Sequence, residues 1–92
     1  MDFEWDENKN ALNIRKHGVS FEVAQGVFDD ENQIEEIDDL VFYGEERCIM
    51  IGLVEGMLLR VVFTMRGNRT RIISARRASK HEQQDYLFQN GS

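Results

Sequence analysis

Cysteine is almost missing from this chain, with a single residue in 92. Cys48 therefore cannot close an internal disulfide, and in its apolar run it reads as a small buried hydrophobe of a reducing compartment. With two histidines beside it, no Cys/His pair falls at zinc spacing. A glycine-rich phosphate loop and a serine nucleophile elbow are also missing. Long apolar runs are lacking too. The longest, around 49–54 and 61–63, are far too short to cross a bilayer. The opening Met1-Asp2-Phe3-Glu4 is acidic and has no apolar stretch, so no signal peptide is expected and a soluble cytoplasmic protein is. Repeats and low-complexity tracts are absent. The many carboxylates show no ligand spacing, so neither a metal nor a cofactor is expected.

What is present is an uneven sorting of charge. The net charge is −6, yet residues 1–58 hold fifteen carboxylates and four Lys/Arg, while residues 59–92 hold seven Lys/Arg and two carboxylates. Between Arg60 and Lys80 there is no acidic side chain. A protein that gathers its arginines in one stretch can present a local positive field to a phosphate backbone despite an acidic total. The acids crowd into 29–39, which reads as a solvated connection.

Ninety-two residues are expected to form one domain, 1–92, and an apolar content of 41% suits a packed core. Phe3-Glu4-Trp5 alternates as a short strand. Asp6 caps a helix over about 7–17, with Glu7 in its first turn, Arg15, Lys16 and His17 in its last, and Gly18 as terminator. Ala11 and Ile14, joined by Leu12, are the inward residues of that reading. Ser20 caps a second helix over 21–28, where Phe21, Ala24 and Phe28 share a face. Strands follow at 40–43, 47–54, 57–66 and 69–76. Glu55-Gly56 and Gly67-Asn68 fit two-residue hairpin turns, so the last three strands form an antiparallel meander. Ser79 to Glu82 has capping-box spacing and opens a final helix to about residue 88. The order predicts an α+β fold.

Tight turns fix register and therefore faces. Around Gly67-Asn68, Thr64 is expected opposite Arg71, Val62 opposite Ile73, and Arg60 opposite Ala75. Around Glu55-Gly56, Arg60 is expected opposite Ile51 and Thr64 opposite Arg47. One face then carries Arg47, Arg60, Arg66, Arg69 and Arg71, and the other carries Cys48, Met50, Leu59, Val61, Phe63, Met65 and Ile72 as core. Opposed like charges are unfavourable without an anion between them. The arginine face is therefore a candidate RNA-binding surface, or else a solvated face whose arginines pair with carboxylates elsewhere. Of Arg76 and Arg77, adjacent and so on opposite faces, at most one shares a surface with Arg60.

Lys16-His17 at a helix end is either a partner for the helix dipole or a proton-transfer and cation pair. Trp5 is either a core residue or a platform for a base. His81 begins the last helix, where positive charge is disfavoured, and reads as neutral surface.

Two end motifs make the chain less anonymous. Phe3-Glu4-Trp5-Asp6, Lys9, Asn13, Lys16-His17-Gly18-Val19, Phe21-Glu22-Val23-Ala24 and Val27-Phe28-Asp29 closely resemble the opening of the BrnT toxin family. Arg71-Ile72-Ile73-Ser74-Ala75-Arg76-Arg77-Ala78, with Lys80, Glu82 and Tyr86, resemble its close. Glu46-Arg47, Gly52 and Arg60 look similar in between. The resemblance implies a RelE-like fold and a ribonuclease toxin of a type II toxin–antitoxin pair, silenced by a BrnA-like antitoxin that makes the operator DNA contacts. It places function on Trp5, Lys16, His17, Arg60 and Arg76, and the face argument adds Arg77. Metal-independent cleavage to a 2′,3′-cyclic phosphate and a 5′-hydroxyl is expected. The alternative is a non-catalytic module that binds nucleic acid or a partner through the arginine face.

Overall fold

A computed structural model describes residues 1–42 and 45–91, with backbone only at 37–42 and 45. The elements are β1 (Asp2–Glu4), α1 (Glu7–His17), α2 (Phe21–Ala24) running into a 3-10 turn (Gln25–Asp29), β2 (Ile34–Phe42), β3 (Glu45–Val54), β4 (Met57–Arg66), β5 (Arg69–Arg77) and α3 (Lys80–Gln89). The five strands form one sheet in the order β1-β5-β4-β3-β2. β1 joins β5 in parallel and the other pairings are antiparallel. The α+β expectation holds, as do the meander and the helices that flank it.

Helix ends follow the local chemistry. The Asp6 side chain accepts from the N–H groups of Asn8 and Lys9, Gly18 closes α1 at φ 71°, and Ser79 with Glu82 forms a full capping box. Satisfying the first N–H groups and leaving the helix through a left-handed glycine are what those residues do best. The turn at Glu55-Gly56 has both residues at positive φ, 50° and 77°, the I′ pattern that matches strand twist.

The sheet is covered on both faces. One face packs Leu59, Val61, Phe63, Ile72 and Met50 under Phe21, Ala24 and Val27. The other packs Ile51 and Ile34 against Ala78 and Tyr86 of the C-terminal segment. Met50 and Ile51 are neighbours in β3, so the strand alternation itself sends them to opposite cores.

Four expectations need correction. The acidic stretch is not merely a loop, because β2 begins at Ile34, six residues before the expected strand start; position 43 lies outside the described residues. Ile34 finds a buried place under α3, and its neighbours Glu35 and Glu36 stay exposed, which an edge strand tolerates. In α1 the residues expected inward are out: Ala11 is exposed, Leu12 is 61% exposed and Ile14 44%. Asn10 and Asn13 are buried instead, because this side of α1 meets backbone groups that need partners: Asn10 accepts from Phe21 N–H at the start of α2, and Asn13 bonds Ala75 on the open edge of β5. Met65 belongs to no core and is 53% exposed, since it lies at the turn end of the hairpin beyond the helices.

The fourth correction bears on function. Phe63 pairs with Ile72 as expected, but the register then shifts, so that Val62 faces Ser74 and Arg60 faces Arg76. Ile73 is the extra residue of a β-bulge. Beyond it, Ala75 turns into the core at 1% exposure and Arg76, not Ala75, stands opposite Arg60.

Candidate functional site

β5 carries three stations along the face opposite the main core. The first is Arg71, opposite Glu4 on β1, whose carboxylate accepts from its Nη1 at 2.6 Å. The second is the bulge, where Ile73 and Ser74 both escape the core. The third is Arg76. Ser74 and Arg76 are two residues apart and share a face, roughly 7 Å from each other along the strand.

At the second station, α1 and the bulge enclose an open cavity of about 550 Å³ lined by Lys9, Lys16, His17, Asn13, Ile73 and Ser74, with Leu12 and Arg15 at its wall. β1 covers β5 only from Arg69 to Arg71, and α1 takes over as edge partner after that. The Asn13 amide donates to the carbonyls of Ala75 (2.7 Å) and Val19 (2.8 Å), and its oxygen accepts from Ala75 N–H (3.2 Å). The buried amide thus acts as one ladder unit, holding the basic tip of α1 beside Ser74. No carboxylate lines this cavity. Lys9, Arg15 and Lys16 form no ion pair among the described residues. In a chain of net charge −6, that makes it the locally positive concavity.

At the third station, Glu82 of α3 meets both Arg60 and Arg76. Its two oxygens accept from Arg76 Nη1 at 2.8 Å and Nη2 at 3.0 Å, and Arg60 Nε lies 3.2 Å from Oε2. Burial alone would raise this carboxyl. The hydrogen bonds from Arg76 and Ser79, with the Arg76 charge, outweigh burial and hold its pKa at about 2.

The remaining expected site residues disperse. Trp5 stacks edge-on against Phe21 at 6.1 Å and its indole N–H donates to Glu7 at 2.8 Å. It shares a separate open cavity with Arg69. Arg66 and Arg69 flank the hairpin turn and are exposed, and Arg77 is exposed at the end of β5. Arg47 is half-buried on β3, its Cα opposite that of Asp38. His81 is exposed beside Asp85 at 3.5 Å. The structure therefore groups Lys16 with His17, and Arg60 with Arg76, but among the described residues no one cavity brings all four together. Arg60, Arg71 and Arg76 are ion-paired, as the solvated-face alternative anticipated. Glu82, Asn13 and Ser74, quoted above only as motif residues, were given no place in the expected site. Glu82 was visible as a capping residue, but its second use needs α3 docked on the sheet. Among the described residues no three His, Cys, Asp or Glu side chains converge as a metal-ligand group.

No curated protein matches the chain in sequence. A family model does, over residues 5–82: the ribonuclease toxin BrnT of type II toxin–antitoxin systems. The match begins at Trp5 and ends at Glu82, enclosing both clusters just described. With most of its length covered, the chain belongs to the BrnT family of type II ribonuclease toxins.

Proposed function

We propose that this toxin cuts RNA without a metal ion, using the cavity at the tip of α1 for proton transfer and the arginines of the next station for charge stabilisation. Membership of the family gives RNA as substrate and an antitoxin as partner. The reading supported best is attack by the ribose 2′-OH on its own phosphodiester, leaving a 2′,3′-cyclic phosphate and a 5′-hydroxyl. That route needs a base for the 2′-OH proton, cations around the pentacovalent phosphorane, and an acid for the 5′-oxygen. His17 or Lys16 serves as the proton-transfer group. Arg60 and Arg76 supply the positive field, and Trp5 shapes the surface around the opening strand. The whole chain, 1–92, acts as one toxin domain in the cytoplasm. A BrnA-like antitoxin silences it and carries the contacts to operator DNA.

The observation that carries this reading is the acid-free cavity around Lys16, His17 and Ser74, opening on the strand face that leads to Arg76. The rival, a binding module using the arginine face, fits less well, because it has no use for the Lys16-His17 pair that lines this cavity. The test is single-turnover cleavage of a defined RNA in EDTA by wild type, His17→Ala, Lys16→Ala and Arg60→Ala. Loss of Arg60 should cost about 10²–10³ in rate, the scale of one oxyanion donor. Equal rates across the set would refute the site, and an inert wild type in EDTA would refute metal independence.

A further inference from the structure

The third station is built asymmetrically. Arg76 is engaged through both terminal nitrogens: Nη1 and Nη2 donate to the two oxygens of Glu82, and Nη1 also donates to the carbonyl of Arg77 at 3.0 Å. This is the bidentate fork that gives arginine–carboxylate pairs their fixed geometry. Glu82 is itself tied at its other contact, because Oε1 also accepts from Ser79 N–H at 2.7 Å within the capping box. Arg60 stands differently. It approaches the carboxylate through Nε at 3.2 Å, and none of its N–H groups, five in a guanidinium, forms a hydrogen bond among the described residues.

Charge points the same way. Two guanidinium groups directly opposite on adjacent strands repel each other. One carboxylate offsets one of them and leaves the trio with a net charge of about +1, which complements the single negative charge of a phosphodiester. We propose that Glu82 divides the labour of the pair, locking Arg76 as an anchor and leaving Arg60 as the guanidinium that binds the RNA phosphodiester. Glu82 is on this account a positioning residue for Arg60, neither a base nor a competitor for the site. The proposal rests on the ribonuclease reading above, and it explains why the bulge at Ile73 matters: only the shifted register brings Arg76 opposite Arg60.

Glu82→Gln is the informative variant, because glutamine at the third helical position still closes a capping box but removes the charge that fixes the arginines. Single-turnover cleavage is measured for wild type, Glu82→Gln, Arg60→Ala and the double variant, all below their melting temperatures. Glu82→Gln should slow cleavage about ten-fold, the scale of a lost charge-assisted hydrogen bond. The double variant should be no slower than Arg60→Ala, since Glu82 acts through Arg60. Additive losses would mean a merely structural glutamate, and a faster Glu82→Gln would mean that Glu82 competes with substrate; either overturns the proposal. Should Glu82→Gln fail to fold, the wild type still decides. On titration with a 2′-deoxy oligonucleotide of the same sequence, which has no attacking hydroxyl, the Nε–H resonance of Arg60 should shift and that of Arg76 should not. A shift of Arg76 alone overturns the proposal. If wild type cleaves no RNA yet Arg60 alone responds, the nuclease reading fails and the division between the arginines stands.

Discussion

Asn13 and Ala75 are joined by two hydrogen bonds across 62 positions of chain, the amide nitrogen donating to the carbonyl at 2.7 Å and the amide oxygen accepting at 3.2 Å. A side chain here does the work of a strand. Asn13→Leu, of similar size, would leave three buried backbone groups without partners, at about 1–3 kcal/mol each. A loss of about 3 kcal/mol is expected, lowering the melting temperature by roughly 15 °C. Cleavage should fall as well, since α1 would lose its grip beside Ser74. Melting within a few degrees of wild type would show that the edge does not depend on this amide.

Gly52 sits where β3 passes beneath the 3-10 turn. A Cβ there would lie 2.9 Å from Val27 Cβ and 3.0 Å from its carbonyl oxygen. A Cβ essentially never comes within 3.0 Å of another heavy atom, so Gly52→Ala must shift Val27 and the turn that carries it. The expected cost is about 1–3 kcal/mol, as in other overpacked sites. Denaturant unfolding measures it, and an unchanged midpoint would contradict the close approach.

Acid stability should report the Glu82 cluster. Its carboxyl falls from an ordinary 4.5 to about 2 in the fold, so the protonated form is the disfavoured one. Its contribution is complete above pH 4.5 and is lost as pH drops through about 2. Wild type should therefore lose melting temperature more steeply than Glu82→Gln over that interval. Parallel curves would count against the pairing with Arg76.

Tyr86 should answer at the alkaline end. Burial first, then its 2.7 Å hydrogen bond to Asp30 and the charge of that carboxylate, push the phenol from 10 to about 12. The neutral phenol is favoured in the fold, so its contribution holds below pH 10 and disappears as pH rises through about 12. Ultraviolet titration should show one late phenolate step, absent in Tyr86→Phe, which should also cost about 1 kcal/mol.

The helix caps, both hairpin turns and the alternation of β4 were legible in the sequence because each is a local rule. Asp6, Gly18, Ser79 and Glu55-Gly56 act on neighbours a few residues away. What escaped was non-local. The inward face of α1 is polar because it meets a strand edge 62 residues later, and hydrophobic periodicity cannot announce that. β2 starts early because Ile34 is buried by α3, while Glu35 and Glu36 disguise it as loop. The pairing of Arg60 with Arg76 was invisible because two tight turns predict an unbroken register. For the site, Lys16 and His17 stood out at a helix end and Arg60 on a strand face, and family likeness added Arg76, whereas Glu82, which organises the two arginines, became apparent only with α3 in place.

The bulge also makes one point in β5 unusually forgiving of chain length. Removing a single residue from a strand normally exchanges inside for outside along everything that follows. Excising Ile73 would instead leave Ile72 facing Phe63 and Ser74 facing Val62, the partners they already have, with strict alternation restored. This inner strand therefore holds a slot where one residue can be lost while every neighbour across the hairpin is kept.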